Sequence, residues 1–324
     1  MGKTPILADL HTHLNEKKIA PKEWWSAVKK RKLSVVAITE HAYCEPKDAY
    51  LKLKATQPKG ILLIPGVEAK TSAGDLLIYG TNESIYEIKE IMKKGASVKK
   101  ALEAVKKNNL AASFAHPYGF KQDSVCEALG EKRAAKIMKK YKIGAEYYNG
   151  MLASANQLLF GRKWVKKFFG LLEFMDKNKA TRSLHINWPT HKAKNKLEKI
   201  AEETLERVRK GMLFAQQAEF ITVGSDAHYP RAIGSSVLEL KRKPKNEKEF
   251  LSMLKNKKII YAGPNMHSHQ PVDRIGRKEI WEGIKYFTKK KLFKRRKIRF
   301  VKKIRRKMAL GKRIKTIKRI TKKA

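Results

Sequence analysis

Short apolar runs alternate along the chain with longer amphipathic segments rich in lysine. Seven runs have the length and the Val and Ile content of buried strands: Ile6–Leu10, Val35–Thr39, Ile61–Val67, Leu76–Tyr79, Leu110–Ala115, Ala145–Tyr148 and Phe220–Gly224. Helical patterns lie between them, at Pro21–Lys32, Glu83–Lys94, Ser97–Asn108, Glu131–Lys140 and near Thr190–Gln217. Repeated alternation of strand and helix predicts an α/β fold in which helices cover parallel strands. The order alone leaves open a doubly wound sheet and a closed barrel.

This pattern breaks near Gly263–Pro271, which indicates a domain over residues 1–265 and a separate extension over residues 266–324. Within the extension, aliphatic residues recur at helical spacing from Ile298 to Ile320 among lysines and arginines. We therefore expect the extension to be a basic segment that is helical or partly disordered.

Charge is distributed unevenly along the 324 residues. The chain has 74 Lys and Arg against 30 Asp and Glu, for a net charge of +44, and no carboxylate side chain follows Glu282. Such an excess favours a polyanionic partner, with nucleic acid bound by the basic tail as the first expectation and an anionic membrane surface as the second. The alternative is a chain that is simply lysine-rich throughout.

Several classes of protein do not fit the sequence. Cys44 and Cys126 are the two cysteines and form no CxxC pair, so neither a disulfide framework nor a cysteine zinc site is expected. The sequence contains neither an apolar run long enough to span a membrane nor a phosphate-binding loop of GxxxxGK[ST] type. The first residues lack the apolar stretch of a signal peptide. We expect a soluble, cytoplasmic protein.

Residues of types that commonly bind metals stand at the ends of five of the predicted strands. They are His11 and His13, His41, Glu68, His116, and Asp226 with His228. Carboxyl ends of parallel strands open on one face of an α/β fold, and residues i and i+2 point the same way. One such histidine usually caps a strand or faces solvent. Five runs that end in this way predict a site for Zn, Mn or Fe.

Five motifs resemble those of the polymerase and histidinol phosphatase (PHP) family, in order, over roughly residues 5 to 262. They are Asp9-Leu-His-Thr-His13, Ile38-Thr-Glu-His41, Gly66-Val-Glu68, Ala115-His-Pro117 and Gly224-Ser-Asp-Ala-His228. The resemblance implies a distorted (β/α)₇ TIM-like barrel, the PHP fold. It also implies two or three divalent ions (Mn, Zn or Fe) at its carboxyl-terminal face, and hydrolysis of phosphoesters.

By the same resemblance, the first metal would be held by His11, His13, Glu68 and Asp226. Glu68 would bridge to a second metal at His116, and a third would lie between His41 and His228. We also expect Asp226 and His228 to be the catalytic residues. Asp9 is expected either to support these ligands or to be an ordinary strand residue.

Three positions depart from the family pattern. Many relatives have an aspartate a few residues after His-x-His, where this chain offers only Glu16, so the third metal site is in question. Asp75 stands where relatives often have a histidine in Gly-His-Leu-Leu, and we predict that it is a ligand, the alternative being a turn residue before a strand. Glu40 replaces the aspartate of Thr-Asp-His conservatively.

The predicted function is hydrolysis of phosphate esters of nucleotides or short oligonucleotides by a metal-activated water. A 5′–3′ exonuclease and a 3′,5′-nucleoside bisphosphate phosphatase are chemically adjacent, and the basic tail is the reason to prefer them. Arg231 and His185 are candidate phosphate contacts, with a surface role as the alternative. A histidinol-phosphatase-like small-molecule phosphatase, and a nucleic-acid-binding protein with an inactive barrel, are the competing interpretations.

Overall fold

A computed structural model describes residues 4–119, 123–153, several positions between 167 and 178, and 187–267. His185 and almost all of the basic extension lie outside these residues. The substrate role of His185, the domain boundary near residue 265 and the helical character of the extension therefore stay predictions.

Nine strands and eight α-helices are formed by the described residues. The strands are β1 (Ile6–Asp9), β2 (Leu33–Ile38), β3 (Leu62–Thr71), β4 (Gly74–Tyr79), β5 (Ala111–Phe114), β6 (Gly144–Asn149), β7 (Ile221–Gly224), β8 (Ser236–Leu240) and β9 (Ile259–Pro264). The helices are α1 (Pro21–Lys30), α2 (Pro46–Ala55), α3 (Lys89–Met92), α4 (Val98–Lys107), α5 (Val125–Leu129), α6 (Glu131–Tyr141), α7 (Asn187–Ala215) and α8 (Glu247–Lys255). In this part of the chain, no helix combines the length and the apolar character needed to cross a membrane.

All nine strands belong to one sheet in the order β7-β6-β5-β4-β3-β2-β1-β8-β9. The first seven strands in this order curve round until β7 comes next to β1. Immediately after β1, the Leu10 amide donates a hydrogen bond to the carbonyl oxygen of Val223 in β7 at 3.1 Å. The His13 amide likewise donates to the carbonyl oxygen of Ala227 at 3.1 Å. The sheet is therefore a nearly closed barrel, which confirms the predicted TIM-like fold and excludes the open doubly wound sheet.

The expectation that the predicted strands are parallel is wrong for β4. β4 pairs antiparallel with both β3 and β5. Only Ser72 and Ala73 separate β3 from β4, and a parallel return would require a crossover of a dozen residues or more. The start of β4 consequently lies at the same edge as the carboxyl ends of its parallel neighbours. β8 and β9 were not predicted. They extend the sheet beside β1 by two antiparallel strands.

Two apolar layers account for the continuous hydrophobic runs. Leu7 and Val36 pack in the layer that contains Trp24 of α1, whereas Ala8 and Val35 belong to the second layer. Successive residues of a strand face opposite sides, so the second layer fills the barrel interior. Strands buried on both faces are apolar without interruption, which is why short runs predicted them well.

Candidate metal centre

Imidazole and carboxylate side chains converge at the carboxyl-terminal edge of the barrel in three groups. In each group the ligand atoms lie within 4.8 Å of one another. The groups are His11, His13 and Asp226; Glu68, Asp75 and His116; and His13, Glu16, His41 and His228. The structure thus brings together all eight predicted ligands and adds Glu16.

Glu68 of β3 joins the three groups. Its Oε2 atom lies 2.8 Å from His41 Nδ1 and 3.4 Å from His11 Nε2. Its Oε1 atom lies 3.1 Å from His116 Nε2. Burial alone would raise the pKa of this carboxyl group, but the nearby His41 and His11 outweigh it and hold the pKa well below its usual range. Glu68 is therefore placed to bridge two cations.

Asp226 faces the two histidines that follow β1. Its Oδ1 atom lies 3.5 Å from His11 Nε2 and 3.4 Å from His13 Nε2. The backbone at Asp226 has φ +52°, in the left-handed region, and this turn aims the carboxylate back across the barrel mouth. Burial would raise the pKa of Asp226, but His11, His13 and His228 together lower it. Asp226 is thus ionised and ready to bind a cation.

Carboxylates behind the first pair of histidines fix the orientation of their rings. His11 Nδ1 lies 3.0 Å from Glu146 Oε1, and His13 Nδ1 lies 3.3 Å from Glu40 Oε1. A carboxylate at one ring nitrogen orients the ring and makes the other nitrogen a better ligand. Both Nε2 atoms consequently point into the centre.

Glu146 and Asn149, both on β6, are site residues that the sequence reasoning missed. Glu146 Oε2 accepts hydrogen bonds from the His116 amide at 2.7 Å and from Asn149 Nδ2 at 3.0 Å. Asn149 Nδ2 also donates to Asp226 Oδ2 at 3.2 Å. The sequence did contain a signal for these two residues. The predicted strand Ala145–Tyr148 includes a carboxylate, Glu146, and is followed by the polar residue Asn149.

The loop after β1 brings Glu16 into the third group. Glu40 Oε2 accepts hydrogen bonds from the amides of Leu14 at 2.8 Å and Asn15 at 2.5 Å, which folds the loop over the barrel mouth. Glu16 Oε2 then lies 2.7 Å from His228 Nε2. Burial would raise the pKa of Glu16, but His228 and His13 lower it to about 2. Glu16 therefore offers a carboxylate to a cation that would bind in the third group.

Asp75 is the second residue of the antiparallel strand β4, and its side chain belongs to the centre. Its side chain is buried, its Oδ1 atom has no hydrogen-bond partner, and its Oδ2 atom lies 3.9 Å from Lys70 Nζ. Burial and the charge of Glu68 raise the pKa of Asp75 to about 7. Asp75 is not a plain turn residue, because the reversal of β4 places it beside His116.

Asp75→Asn should stabilise the metal-free protein in alkaline solution. The pKa of Asp75 is raised on folding from 3.8 to about 7, so its contribution to stability is complete below pH ~4 and is lost as the pH rises through 7. Asparagine mimics the neutral carboxyl group. In urea unfolding with EDTA, the advantage of the variant over the parent should grow by about 2 kcal/mol between pH ~5 and pH ~8.5. An equal difference at both pH values would contradict this assignment.

Asp9 lies behind the centre and ties the end of β1 to the turn after β7. Its Oδ2 atom accepts hydrogen bonds from Ser225 Oγ at 2.6 Å and from the Gly234 amide at 2.7 Å. Its Oδ1 atom accepts from the amides of Ser225 at 2.9 Å and His11 at 3.3 Å. This is the supporting role, and not that of an ordinary strand residue.

Arg231 lies in a 3₁₀ turn, Pro230–Ala232, shortly after His228. Its carbonyl oxygen accepts a hydrogen bond from Arg31 Nη2 at 3.1 Å, which holds the turn against the end of α1. The predicted contact of its side chain with substrate stays a prediction.

Unpaired buried atoms test whether the centre fits metal ions. Six buried side-chain atoms of the centre lack a hydrogen-bond partner: His11 Nε2, His13 Nε2, Glu16 Oε2, Glu68 Oε2, Asp75 Oδ1 and His116 Nδ1. Buried polar atoms without partners are costly to folding and therefore rare. Cations would satisfy the atoms that face the centre, whereas His116 Nδ1 lies against Gly119 and His116 turns its Nε2 atom towards Glu68. The donor set of imidazoles and carboxylates without thiolates suits divalent Zn, Mn or Fe.

A family model described as PHP-associated matches residues 215–259. That segment contains β7, the turn with Asp226 and His228, and β8. Together with the five motifs in order, the match confirms the predicted resemblance to the PHP family. No curated protein matches the chain.

Solved structures resemble the chain at low sequence identity. PsfC from Pseudomonas syringae is 14% identical, with a TM-score of 0.50 over 77% of this chain and 89% of its own. A two-domain Bacteroides vulgatus protein, described as containing a predicted PHP-like metal-dependent phosphoesterase, is 14% identical with a TM-score of 0.45; the match covers 79% of this chain and 64% of that protein. The lesion-specific endonuclease PfuEndoQ from Pyrococcus furiosus is 12% identical with a TM-score of 0.45, over 79% of this chain and 58% of its own.

Proposed function

We propose that the protein is a phosphoesterase that depends on divalent metal ions. The observation that carries the proposal is the convergence of buried imidazole and carboxylate side chains in three groups, several of whose ligand atoms have no hydrogen-bond partner. Two or more divalent ions at such a centre neutralise a phosphate and lower the pKa of a water molecule towards 7. Every predicted ligand position carries a histidine, a glutamate or an aspartate, all of which can bind metal. A complete set of this kind disfavours an inactive barrel.

His228 and Glu16 form the proton-holding pair at the rim of the site. His228 Nδ1 donates a hydrogen bond to the carbonyl oxygen of Asp226 at 2.9 Å, which directs Nε2 towards Glu16. Burial would lower the pKa of His228, but Glu16 and Asp226 outweigh it and raise the pKa. While the third group holds no cation, His228 Nε2 can carry a proton and supply it to the leaving oxygen of a phosphoester; a cation bound there would take the same nitrogen as its ligand. Asp226 beneath it holds the imidazole in place.

The substrates we propose are nucleotides or short oligonucleotides, hydrolysed by a 5′–3′ exonuclease or a 3′,5′-nucleoside bisphosphate phosphatase. The net charge of +44 and the absence of carboxylate side chains after Glu282 support a polyanionic substrate or anchor. A small phosphate ester such as histidinol phosphate needs no such charge.

An assay with Mn²⁺ on three substrates tests this proposal. A 5′-labelled oligonucleotide, a nucleoside 3′,5′-bisphosphate and histidinol phosphate are compared with and without EDTA. EDTA-sensitive release of mononucleotides, or of phosphate from the bisphosphate, supports the proposal. Turnover of histidinol phosphate alone would replace it with the small-molecule phosphatase, and no turnover of any substrate would contradict it.

Deletion of residues 283–324 should weaken oligonucleotide binding by about tenfold or more at low salt, because the segment supplies many of the cations that displace counterions from phosphates. Hydrolysis of a small chromogenic phosphodiester should change little. Binding is measured by fluorescence anisotropy from 50 to 200 mM salt, and vesicles with anionic lipids serve as the membrane comparison. An unchanged affinity for oligonucleotide would show that the tail has another partner.

A further inference from the structure

An aromatic side chain extends the metal centre towards α2. The ring of Tyr43 stacks on the imidazole of His41, with ring centroids 5.0 Å apart and planes 9° apart. His41 in turn touches Glu68 at the middle of the centre. Tyr43 is 48% exposed, so the stack leads from the buried ligands to the surface.

Lys94 lies over the Tyr43 ring, with Nζ 4.5 Å from the ring centroid. Such cation–π contacts hold an ammonium group in place at small cost. Nearby lysines are neutralised, since Lys47 lies 2.5 Å from Glu87 and Lys70 lies 2.8 Å from Asp123. Within the described ranges Lys94 has no carboxylate within ion-pair distance, so its charge is available to an anion beside the metal centre.

A groove of about 520 Å³ begins at the same tyrosine. Its walls combine the apolar side chains of Ala42, Pro46, Leu51 and Met92 with the charged residues Glu45, Lys47 and Asp48. Leu51 is 42% exposed at the surface of α2. A groove with apolar walls and a few charged groups can hold a flat organic ring that bears polar or charged substituents.

We propose that Tyr43, Lys94 and this groove form the subsite for the nucleoside next to the scissile phosphate. The groove takes the base, with Tyr43 as its inner wall, and the Lys94 ammonium takes a second phosphate on the same nucleoside. This inference rests on the proposed function and narrows it. The preferred substrates carry two phosphates around one nucleoside, as nucleoside bisphosphates and oligonucleotides do and nucleoside monophosphates do not.

Binding of inert analogues to the full chain in Mn²⁺ tests the role of Lys94 without turnover. The phosphorothioate analogues of adenosine 3′,5′-bisphosphate and adenosine 5′-monophosphate are compared by calorimetry. The parent should bind the bisphosphate analogue about tenfold more tightly, and Lys94→Gln should reduce this preference to about twofold. Lys93→Gln removes the same charge one residue away and should keep the preference. An equal loss in both variants, or no loss in Lys94→Gln, would overturn the proposal.

A second comparison tests Tyr43 and the groove. The parent should bind the bisphosphate analogue about tenfold more tightly than the same bisphosphate of an abasic sugar. Tyr43→Phe should keep this difference, whereas Tyr43→Leu should lose most of it while Mn²⁺ binding persists. A full difference in Tyr43→Leu would overturn the subsite. Failure of the proposed function is distinguishable, because it would appear as selective binding of the analogues without hydrolysis of any natural nucleotide.

Discussion

Glu68→Gln should reduce phosphoester hydrolysis by about a thousandfold or more. The Glu68 carboxylate lies among His11, His13, His41 and His116, and an amide in its place has half the ligand oxygens and no charge. We expect the variant to bind fewer metal ions per chain, because the bridging ligand is lost. Steady-state hydrolysis of a chromogenic phosphodiester and elemental analysis of the dialysed protein measure the two effects.

Glu219→Gln is the matched control for this substitution. Glu219 is exposed and lies two residues before the start of β7, at the opposite edge of the barrel from the metal centre. The control should keep both metal content and turnover. Far-ultraviolet circular dichroism of the two variants separates loss of the centre from loss of the fold. Parental turnover in a folded Glu68→Gln variant would show that the centre is not the active site.

Gly224→Ala should unfold the barrel or destabilise it by about 3 kcal/mol or more. A Cβ atom at residue 224 would lie 2.0 Å from the Cβ atom and 2.7 Å from the backbone nitrogen of His11. Backbone cannot yield there, because this is where β7 meets β1 and the barrel closes. Even a folded variant would have His11 displaced and should lose metal affinity. Urea unfolding and Mn²⁺ titration measure both consequences.

Gly211→Ala tests that the effect belongs to the close approach and not to the loss of a glycine. Gly211 lies in helix α7, and an added Cβ atom would meet nothing within 4 Å. Alanine is the better helix former, so this variant should be more stable than the parent by about 0.5 to 1 kcal/mol. Equal destabilisation by both substitutions would contradict the account of barrel closure.

The hydrophobic pattern along the chain was sufficient to predict most strands of the barrel. Six of the seven predicted runs lie within one or two residues of the observed strand at each end, and the seventh, Ile61–Val67, continues in β3 to Thr71. Helix boundaries were less certain, since the pattern over Glu83–Lys94 divides into a 3₁₀ turn at Glu83–Glu87 and the short helix α3. Burial on both faces makes a strand visible in sequence, whereas a short helix on the surface leaves a weak signal.

The antiparallel pairing of β4, β8 and β9 was not predicted, because the direction in which a strand pairs is not encoded in its local sequence pattern. β8 pairs with β1 from more than two hundred residues away, and nothing in its sequence, Ser-Val-Leu-Glu-Leu, gives its direction. The reversal of β4 places Asp75 in the centre, and only pairing with β3 and β5 reveals it. The resemblance suggested Asp75 as a ligand, but the reason it reaches the site is tertiary.

By itself the sequence determined the chemistry of the site: which strand ends carry imidazoles and carboxylates, and that i and i+2 residues such as His11 and His13 point together. Only the tertiary structure decided that the sheet closes, that Glu16 reaches His228, and that Glu146 supports His11. The physical reason is that hydrophobic period reports burial along one segment. Contacts between segments depend on register and direction, which are set jointly by all the strands.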